Sequence, residues 1–84
     1  MPDQFGLQLI ELKNQVVEHF TESDWLELGT LTGHLERIQR SPRLLRSLRF
    51  GDEDYEGNVL SMLRKIIDDD AANLSVIQNY LRQK

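Results

Sequence analysis

The sequence contains no cysteine and only two prolines among its 84 residues. Without cysteine, disulfide bonds, thiolate zinc sites and cysteine nucleophiles are excluded. The scarcity of proline, combined with many Leu, Glu, Arg and Gln residues, favours helix over sheet. No apolar run approaches the roughly 20 residues of a transmembrane helix, and the first residues lack the basic start and apolar core of a signal peptide. We therefore expect a cytoplasmic protein.

The size and composition indicate one folded domain. The chain is 39% hydrophobic and 29% charged, a balance typical of soluble globular domains and not of disordered segments. Eighty-four residues are enough for a single domain, so we treat residues 1–84 as one unit. Two alternatives stay open, namely that this unit is a whole protein or that it is one domain of a longer one.

The net charge of −4 conceals a strong separation of signs along the chain. Residues 37–49 contain five arginines and no acid, here called the arginine ladder: Arg37, Arg40, Arg43, Arg46 and Arg49. Directly after Gly51 comes the acidic segment, formed by Asp52, Glu53, Asp54 and Glu56. A net-acidic chain is not expected to bind nucleic acid in bulk. Complementary patches on one small body could instead dock copies of it head to tail.

Apolar residues at steps of three and four predict a first amphipathic helix. They are Phe5, Leu9, Leu12, Val16 and Phe20, with Ile10 and Val17 widening the stripe. Asp3 is the expected N-cap, and His19 near the helix end is expected to have a structural role.

A second helix is predicted to begin after an N-cap at Thr21 or Ser23 and to stop at Gly33. Trp25, Leu28 and Gly29 belong to its inward side, together with Leu26. Trp25 is the single tryptophan, and its large ring is expected to anchor the core. An exposed Trp that binds a partner is the alternative.

The arginine ladder is predicted to be divided between two short helices. Leu35 and Ile38 indicate a third helix that ends before Ser41. Ser41 followed by Pro42 has the pattern of an N-cap and a first-turn proline, so a fourth helix is predicted to begin there. It is expected to bury three leucines and to end at Gly51; the leucines are Leu44, Leu45 and Leu48.

Two further helices complete the predicted fold. Asp52 or Asp54 is expected to cap the fifth, in which Gly57 allows a close approach of another helix. Its apolar face consists of Tyr55, Val59, Met62, Leu63, Ile66 and Ile67. The sixth helix carries Leu74, Ile77 and Leu81, with Val76 and Tyr80 beside them. No stretch alternates as a strand would. We predict an all-α fold, a compact antiparallel bundle of five to six short helices.

No set of residues has the pattern of an active site or a cofactor site. The two histidines show no metal-ligand spacing, no glycine-rich loop is placed to hold phosphate, and no serine has a nucleophile-elbow context. Three consecutive aspartates, residues 68–70, point in different directions and are expected to form a solvated cap and turn. We therefore predict no catalytic, cofactor-binding or metal-binding residues and no small-molecule substrate.

The arginine ladder has three interpretations. It is a solvated helix face, or it binds an acidic protein surface through the planar, multi-donor guanidinium group, or it binds phosphates. The phosphate interpretation has a helix-turn-helix arrangement around Gly33 in its favour. Against it stand the short helix before Pro42, the acidic flanks and the sequence pI near 5. A bundle that only scaffolds a larger enzyme is a further alternative.

The segment Asp24–Gly33, followed by Leu35 and Ile38, resembles a death-fold domain. The shared features are a Trp that opens the second helix, a Leu-Gly-like ending and an Ile shortly afterwards. Beyond the third helix the sequence departs from metazoan patterns. There it looks closer to the death-like and effector-associated adaptor domains of bacterial conflict and immune proteins. The resemblance implies homotypic recruitment, in which matching domains associate through complementary charged faces.

These observations together predict an adaptor module whose partner is the same or a related domain. Eight residues are predicted to bind that partner: Arg40, Arg43, Arg46, Arg49, Asp52, Glu53, Asp54 and Glu56. Some ladder charges are expected to be neutralised within the monomer, which leaves Arg40, Arg43 and Arg46 for the partner. The alternative is a small helix-turn-helix-like regulator that binds nucleic acid with the same arginines. Membrane binding is not expected.

Overall fold

The computed structural model describes residues 4–41 and 43–84, and this part of the chain forms six α-helices without a strand. They are α1 (Gln4–His19), α2 (Glu22–Thr32), α3 (Leu35–Arg40), α4 (Leu44–Phe50), α5 (Tyr55–Asp69) and α6 (Asn73–Arg82). The predicted all-α bundle is confirmed. Asp3 and Pro42, two predicted helix-start residues, lie outside the described residues. Within those ranges, no helix is both long and apolar enough to cross a membrane.

The core is built mainly where α1 packs against α5. The predicted stripe of α1 from Leu9 to Phe20 is buried. All six apolar residues predicted for the inward face of α5 are buried as well: Tyr55, Val59, Met62, Leu63, Ile66 and Ile67. The predicted burial of one residue in the stripe was wrong, because Ile10 is 47% exposed. It lies three residues from Leu7, which is also exposed, so both belong to the outer face of α1.

Trp25 is fully buried, which confirms it as a core anchor and rules out the exposed alternative. Its indole Nε1 donates a hydrogen bond to the hydroxyl of Tyr55 at 2.9 Å, so the ring's only polar atom is satisfied. Phe20 packs edge-on against the Trp25 ring, with centroids 5.3 Å apart, and against Tyr80 at 5.4 Å. This aromatic cluster joins α2 to α5 and α6. Burial raises the pKa of Tyr55, although the hydrogen bond from Trp25 opposes the shift.

The start of α2 follows the prediction. Thr21 is the N-cap, and it forms a capping box with Asp24, in which each side chain bonds the other residue's backbone N–H. At the other end Gly33 adopts the left-handed conformation, with φ of 76°, and ends the helix.

Gly29 is where α2 and α3 come closest together. A Cβ atom added to Gly29 would lie 2.8 Å from the Cα of Leu35 and 3.0 Å from Cδ1 of Ile38. The close approach predicted for Gly57 was wrong, since a Cβ atom there would meet nothing within 4 Å. Both glycines lie in helices, but only Gly29 faces another helix.

The start of α4 differs from the prediction. Ser41 is the C-cap of α3 and not the N-cap of α4. Arg43 occupies the N-cap position of α4 and makes no capping hydrogen bond with its side chain. The predicted end is confirmed, because Gly51 is left-handed with φ of 63°. Leu44 and Leu45 are buried, while Leu48 is only partly buried against the core. Asp54 precedes α5 without a capping bond from its side chain.

A polar cluster connects the end of α6 to the start of α2. Asp24 accepts hydrogen bonds from the Tyr80 hydroxyl at 2.7 Å and from Lys84 Nζ at 2.9 Å. The Tyr80 hydroxyl also hydrogen-bonds the carboxylate of Glu27. Burial works to raise the pKa of Asp24, but the hydrogen bonds from Lys84, Thr21 and Tyr80 hold it well below its usual range. For Tyr80, burial and the two carboxylates raise the pKa.

Replacing Gly29 with alanine is expected to lower the free energy of unfolding by about 1 to 3 kcal/mol, because the new methyl group collides with α3. Gly57→Ala is the matched control. There the methyl group enters open space in a helix, so stability should rise by about 0.5 kcal/mol. Urea denaturation followed by far-UV circular dichroism measures both changes. Equal effects of the two substitutions would contradict the close α2–α3 approach.

Asp24→Asn is expected to cost about 1 to 3 kcal/mol at pH 7, since it removes the carboxylate that Lys84 and Thr21 bond. The pKa of Asp24 is depressed in the folded state, so its stabilisation is present above the unfolded pKa of about 4 and is lost as pH falls. The gap between wild type and variant should therefore narrow progressively below about pH 4. Asp68→Asn, at a surface pair with Arg64, should cost less than about 0.5 kcal/mol throughout.

Candidate docking surface

The arginine ladder is divided between two helices and the turn that joins them, as predicted. Arg37 and Arg40 lie on α3, Arg43 directly precedes α4, and Arg46 and Arg49 lie on α4. All five are exposed, and so are all four residues of the acidic segment. The predicted partner-binding residues are therefore accessible to another molecule.

Some of these charges already have partners within the monomer. Arg49 Nε bonds Glu22 Oε1 at 2.6 Å, which joins α4 to α2. The hydrogen bond from Arg49 lowers the pKa of Glu22, and Glu22 in turn raises that of Arg49. Glu56 forms an ion pair with Lys13 of α1 at 3.4 Å. Arg49 and Glu56 are thus the two predicted docking residues that would have to leave an existing partner.

Two arginines and three acids line one surface depression of about 530 Å³, here called the mixed-charge groove. Its lining residues are Arg43, Arg46, Ser47, Asp52, Glu53, Asp54, Gly57 and Asn58. The left-handed turn at Gly51 reverses the chain between α4 and the acidic segment, which is why both signs reach the same groove. Asn58 of α5 links that helix to the α4 side of the groove. Its side-chain amide donates hydrogen bonds to Ser47 Oγ at 3.1 Å and to the carbonyl of Arg43 at 3.3 Å.

The opposite charges of this groove do not pair with each other. In the described part of the chain, no ion pair within 4.0 Å joins Arg43 or Arg46 to Asp52, Glu53 or Asp54. The guanidinium carbon of Arg46 lies over the ring of Phe50, 5.9 Å from its centroid. The Gly51 turn brings the acids into the same groove as Arg43 and Arg46, while in the described part of the chain the ladder's ion pair is made with Glu22 of α2.

A second depression, here called the basic groove, adjoins the first at Arg43 and Asn58 and is lined by four cations and one acid, Glu36. It consists of two adjoining hollows that share Ser41, Met62 and Lys65. Arg37 and Arg40 line one hollow and Arg43 lines the other. Sequence analysis missed Lys65, because its position in α5 gives no sign that it faces the end of α3. Across residues 4–41 and 43–84, these four cations take part in no ion pair.

Phe50 is the second feature that sequence analysis missed. It is 71% exposed, the most exposed large apolar residue in the described chain. Its position gave a usable signal, since it directly precedes the helix stop at Gly51 and follows a charged residue, Arg49. An exposed aromatic ring beside an arginine is the residue combination enriched at the centres of protein interfaces.

The remaining candidate sites have separate structural partners. Asp68 pairs with Arg64 at 3.6 Å, Asp69 with the buried His34 at 3.2 Å, and Asp70 accepts a hydrogen bond from the backbone N–H of Ala72 at 3.0 Å. His19 pairs with Glu18 on the surface at 3.9 Å. Among the residues that the structure describes, no three acidic or histidine side chains are grouped as metal ligands.

Phe50→Ser is expected to change the free energy of unfolding by less than about 0.5 kcal/mol, because the ring contributes almost nothing to the core. Leu44→Ala, six residues away and fully buried, should cost about 2 to 5 kcal/mol. Thermal denaturation of the two variants measures the difference. A large loss of stability in Phe50→Ser would mean that the ring is part of the core and not of a docking surface.

Comparison with known proteins gives one family. The family model described as AbiJ N-terminal domain 5 matches residues 1–84. Searches of curated proteins and of solved structures find no significant match. The family places the chain in a bacterial conflict system, as the resemblance implied, whereas the death-fold part of that resemblance stays a prediction. Because the family model covers the whole sequence, the chain belongs to the AbiJ N-terminal domain 5 family, the N-terminal domains of abortive-infection proteins of bacteria.

Proposed function

We propose that this domain is a non-catalytic, cytoplasmic protein-interaction module of an abortive-infection system. It recruits a second copy of itself, or a closely related domain, through complementary charges. The observation that carries the proposal is the mixed-charge groove, in which exposed arginines and carboxylates lie side by side without pairing in the described structure. A partner that supplies the opposite charges would satisfy both groups.

The chemistry of the groove suits a protein partner. Guanidinium groups form two parallel hydrogen bonds with a carboxylate, which gives geometric specificity as well as attraction. Complementary potentials also steer two molecules together and set their register. Arg43 and Arg46 would bind acids of the partner, while Asp52 and Asp54 would bind its arginines. Arg40, at the end of α3, and Arg49, on α4, flank these arginines in the chain and would extend the contact.

Phe50 adds an apolar contact to these charges. Charged groups on a surface contribute only about 0 to 1 kcal/mol per pair, so a stable complex needs apolar burial too. The Phe50 ring is exposed next to Arg46 and is available for that purpose. Covering it would remove from water the largest exposed apolar side chain of this region.

The resemblance of Asp24–Gly33 to death-fold domains supports the same function. Such domains associate with matching domains, and a conflict-system protein has use for a module that assembles its effectors. The family consists of N-terminal domains, which supports the idea that this unit recruits or scaffolds further domains of a longer protein.

A second candidate function, nucleic-acid binding, has one observation in its favour. Arg37, Arg40, Arg43 and Lys65 surround the basic groove without ion pairs in the described part of the chain, and phosphates would neutralise them. A helix-turn-helix mode is poorly supported, because α3 has six residues and is only about 9 Å long. The net charge of −4 also opposes binding to a polyanion.

Self-association is expected to weaken as salt rises, because exposed charges are screened beyond about 8 Å at physiological ionic strength. Sedimentation velocity at low and high salt measures this for the wild type and for Arg43→Glu combined with Arg46→Glu. The double variant should stay monomeric at low salt. Its matched control, Arg64→Glu combined with Arg82→Glu, changes the net charge equally away from the groove and should associate like the wild type.

A gel-shift experiment with mixed DNA and RNA at low salt separates the two candidate functions. Saturable binding at micromolar protein that is lost in Lys65→Glu would favour nucleic acid. A wild-type domain that is monomeric under all conditions, and that binds no related domain, would overturn the homotypic proposal.

A further inference from the structure

Resting on the proposed self-association, we infer that two copies dock groove to groove about a two-fold axis and that association stops at the dimer. Two chain segments of opposite charge line the mixed-charge groove and are here called its walls. Arg43 and Arg46 form the basic wall along α4, and Asp52, Glu53 and Asp54 form the acidic wall in the turn that leads into α5.

A two-fold axis through this groove makes it complementary to itself. Rotation by half a turn places the basic wall of each copy on the acidic wall of the other, so one interface makes both sets of contacts. A patch of one sign cannot pair with itself in this way, because like charges would meet across the axis. Opposite signs on adjacent segments are therefore a charge pattern that an isologous contact can satisfy.

The same arrangement works against growth into a filament. Head-to-tail growth needs two separate surfaces, so that one neighbour binds the arginines while a different neighbour binds the acids. Here both walls line a single depression of about 530 Å³. A molecule seated over one wall covers the other, and the contact closes after two copies.

The ion pairs of charged residues beside the groove support a contact centred on the groove. Arg49 and Glu56, which flank the walls in sequence, are held by Glu22 and Lys13 of the same copy. Of the eight predicted docking residues, those of the two walls and Arg40 then remain without an ion pair in the described part of the chain. Phe50 lies in sequence between the walls, with its ring on Arg46, and is positioned to be covered when they meet.

Sedimentation equilibrium of the wild type at low salt distinguishes the possibilities. With rising concentration the mass should level off at twice the monomer mass of 9.8 kDa. Continued growth beyond the dimer would overturn the two-fold contact while leaving self-association intact. A protein that stays monomeric would overturn both the contact and the proposed function.

Mixing experiments test the symmetry directly. The basic-wall variant is Arg43→Glu with Arg46→Glu, and the acidic-wall variant is Asp52→Arg with Asp54→Arg. Each alone should be monomeric, whereas their mixture should form a one-to-one dimer about as tight as that of the wild type. Neither Asp52 nor Asp54 caps α5 with its side chain, so the acidic-wall variant should retain its fold.

The decisive mixture is fluorescently labelled wild type with an excess of the basic-wall variant. In a two-fold dimer one set of contacts becomes repulsive, so binding should be weaker than wild-type self-association by about tenfold or more. In a head-to-tail contact, the arginines of the wild type still meet the unchanged acids of the variant. The variant would then bind labelled wild type as strongly as the wild type binds itself, and that result would overturn the two-fold contact. The Arg64→Glu and Arg82→Glu control should bind labelled wild type at full strength. Circular dichroism confirms that each variant is folded.

Discussion

The burial of one tryptophan is the constraint on which the rest of this small fold depends. The Trp25 ring is excluded from water, and its single N–H is satisfied only by the hydroxyl of Tyr55, thirty residues further along the chain. An unsatisfied donor at this position would cost about 1 to 3 kcal/mol. Phe20 packs on the same ring and also on Tyr80. The end of α1, the start of α2, and residues of α5 and α6 thus meet in one aromatic cluster, which holds α5 against α2.

That orientation determines where the surface charges lie. Because α5 is fixed by its six buried residues, its first turn has to face the end of α4, and the left-handed Gly51 is the turn that allows this. Arginines from α4 and acids from the following turn then line one groove. Core packing and surface charge depend on different residues here, because all charged side chains of the groove are exposed. Selection can therefore act on the two properties separately.

The proposed assembly role rests on membership of an abortive-infection family and on the absence of ion pairs across the groove in the described structure. A domain that assembles proteins needs contacts that are strong only when many groups bind together, and that dissociate otherwise. In the proposed contact, individually weak ion pairs and the exposed Phe50 ring would meet that need. A two-fold contact between such N-terminal domains would bring two attached effectors together. An open chain of copies would instead bring many effectors together.

The sequence by itself determined the helices and most of the core. Three kinds of local feature can be predicted from the sequence alone. They are the apolar periodicity, the Thr21 capping box, and the helix ends at Gly33 and Gly51. The exposure of Ile10, the close approach at Gly29 and the place of Ser41 could not be found this way, because each depends on which helix packs alongside.

The arginine ladder also combines features that the sequence predicts with features that depend on tertiary packing. Its charges and its break into two helices were evident from residue order. Only the tertiary structure decided that Arg49 pairs with Glu22 and that Lys65 joins Arg37 and Arg40. Electrostatic contacts between helices depend on distances of a few ångströms between residues far apart in the chain, and these distances exist only after the core has packed.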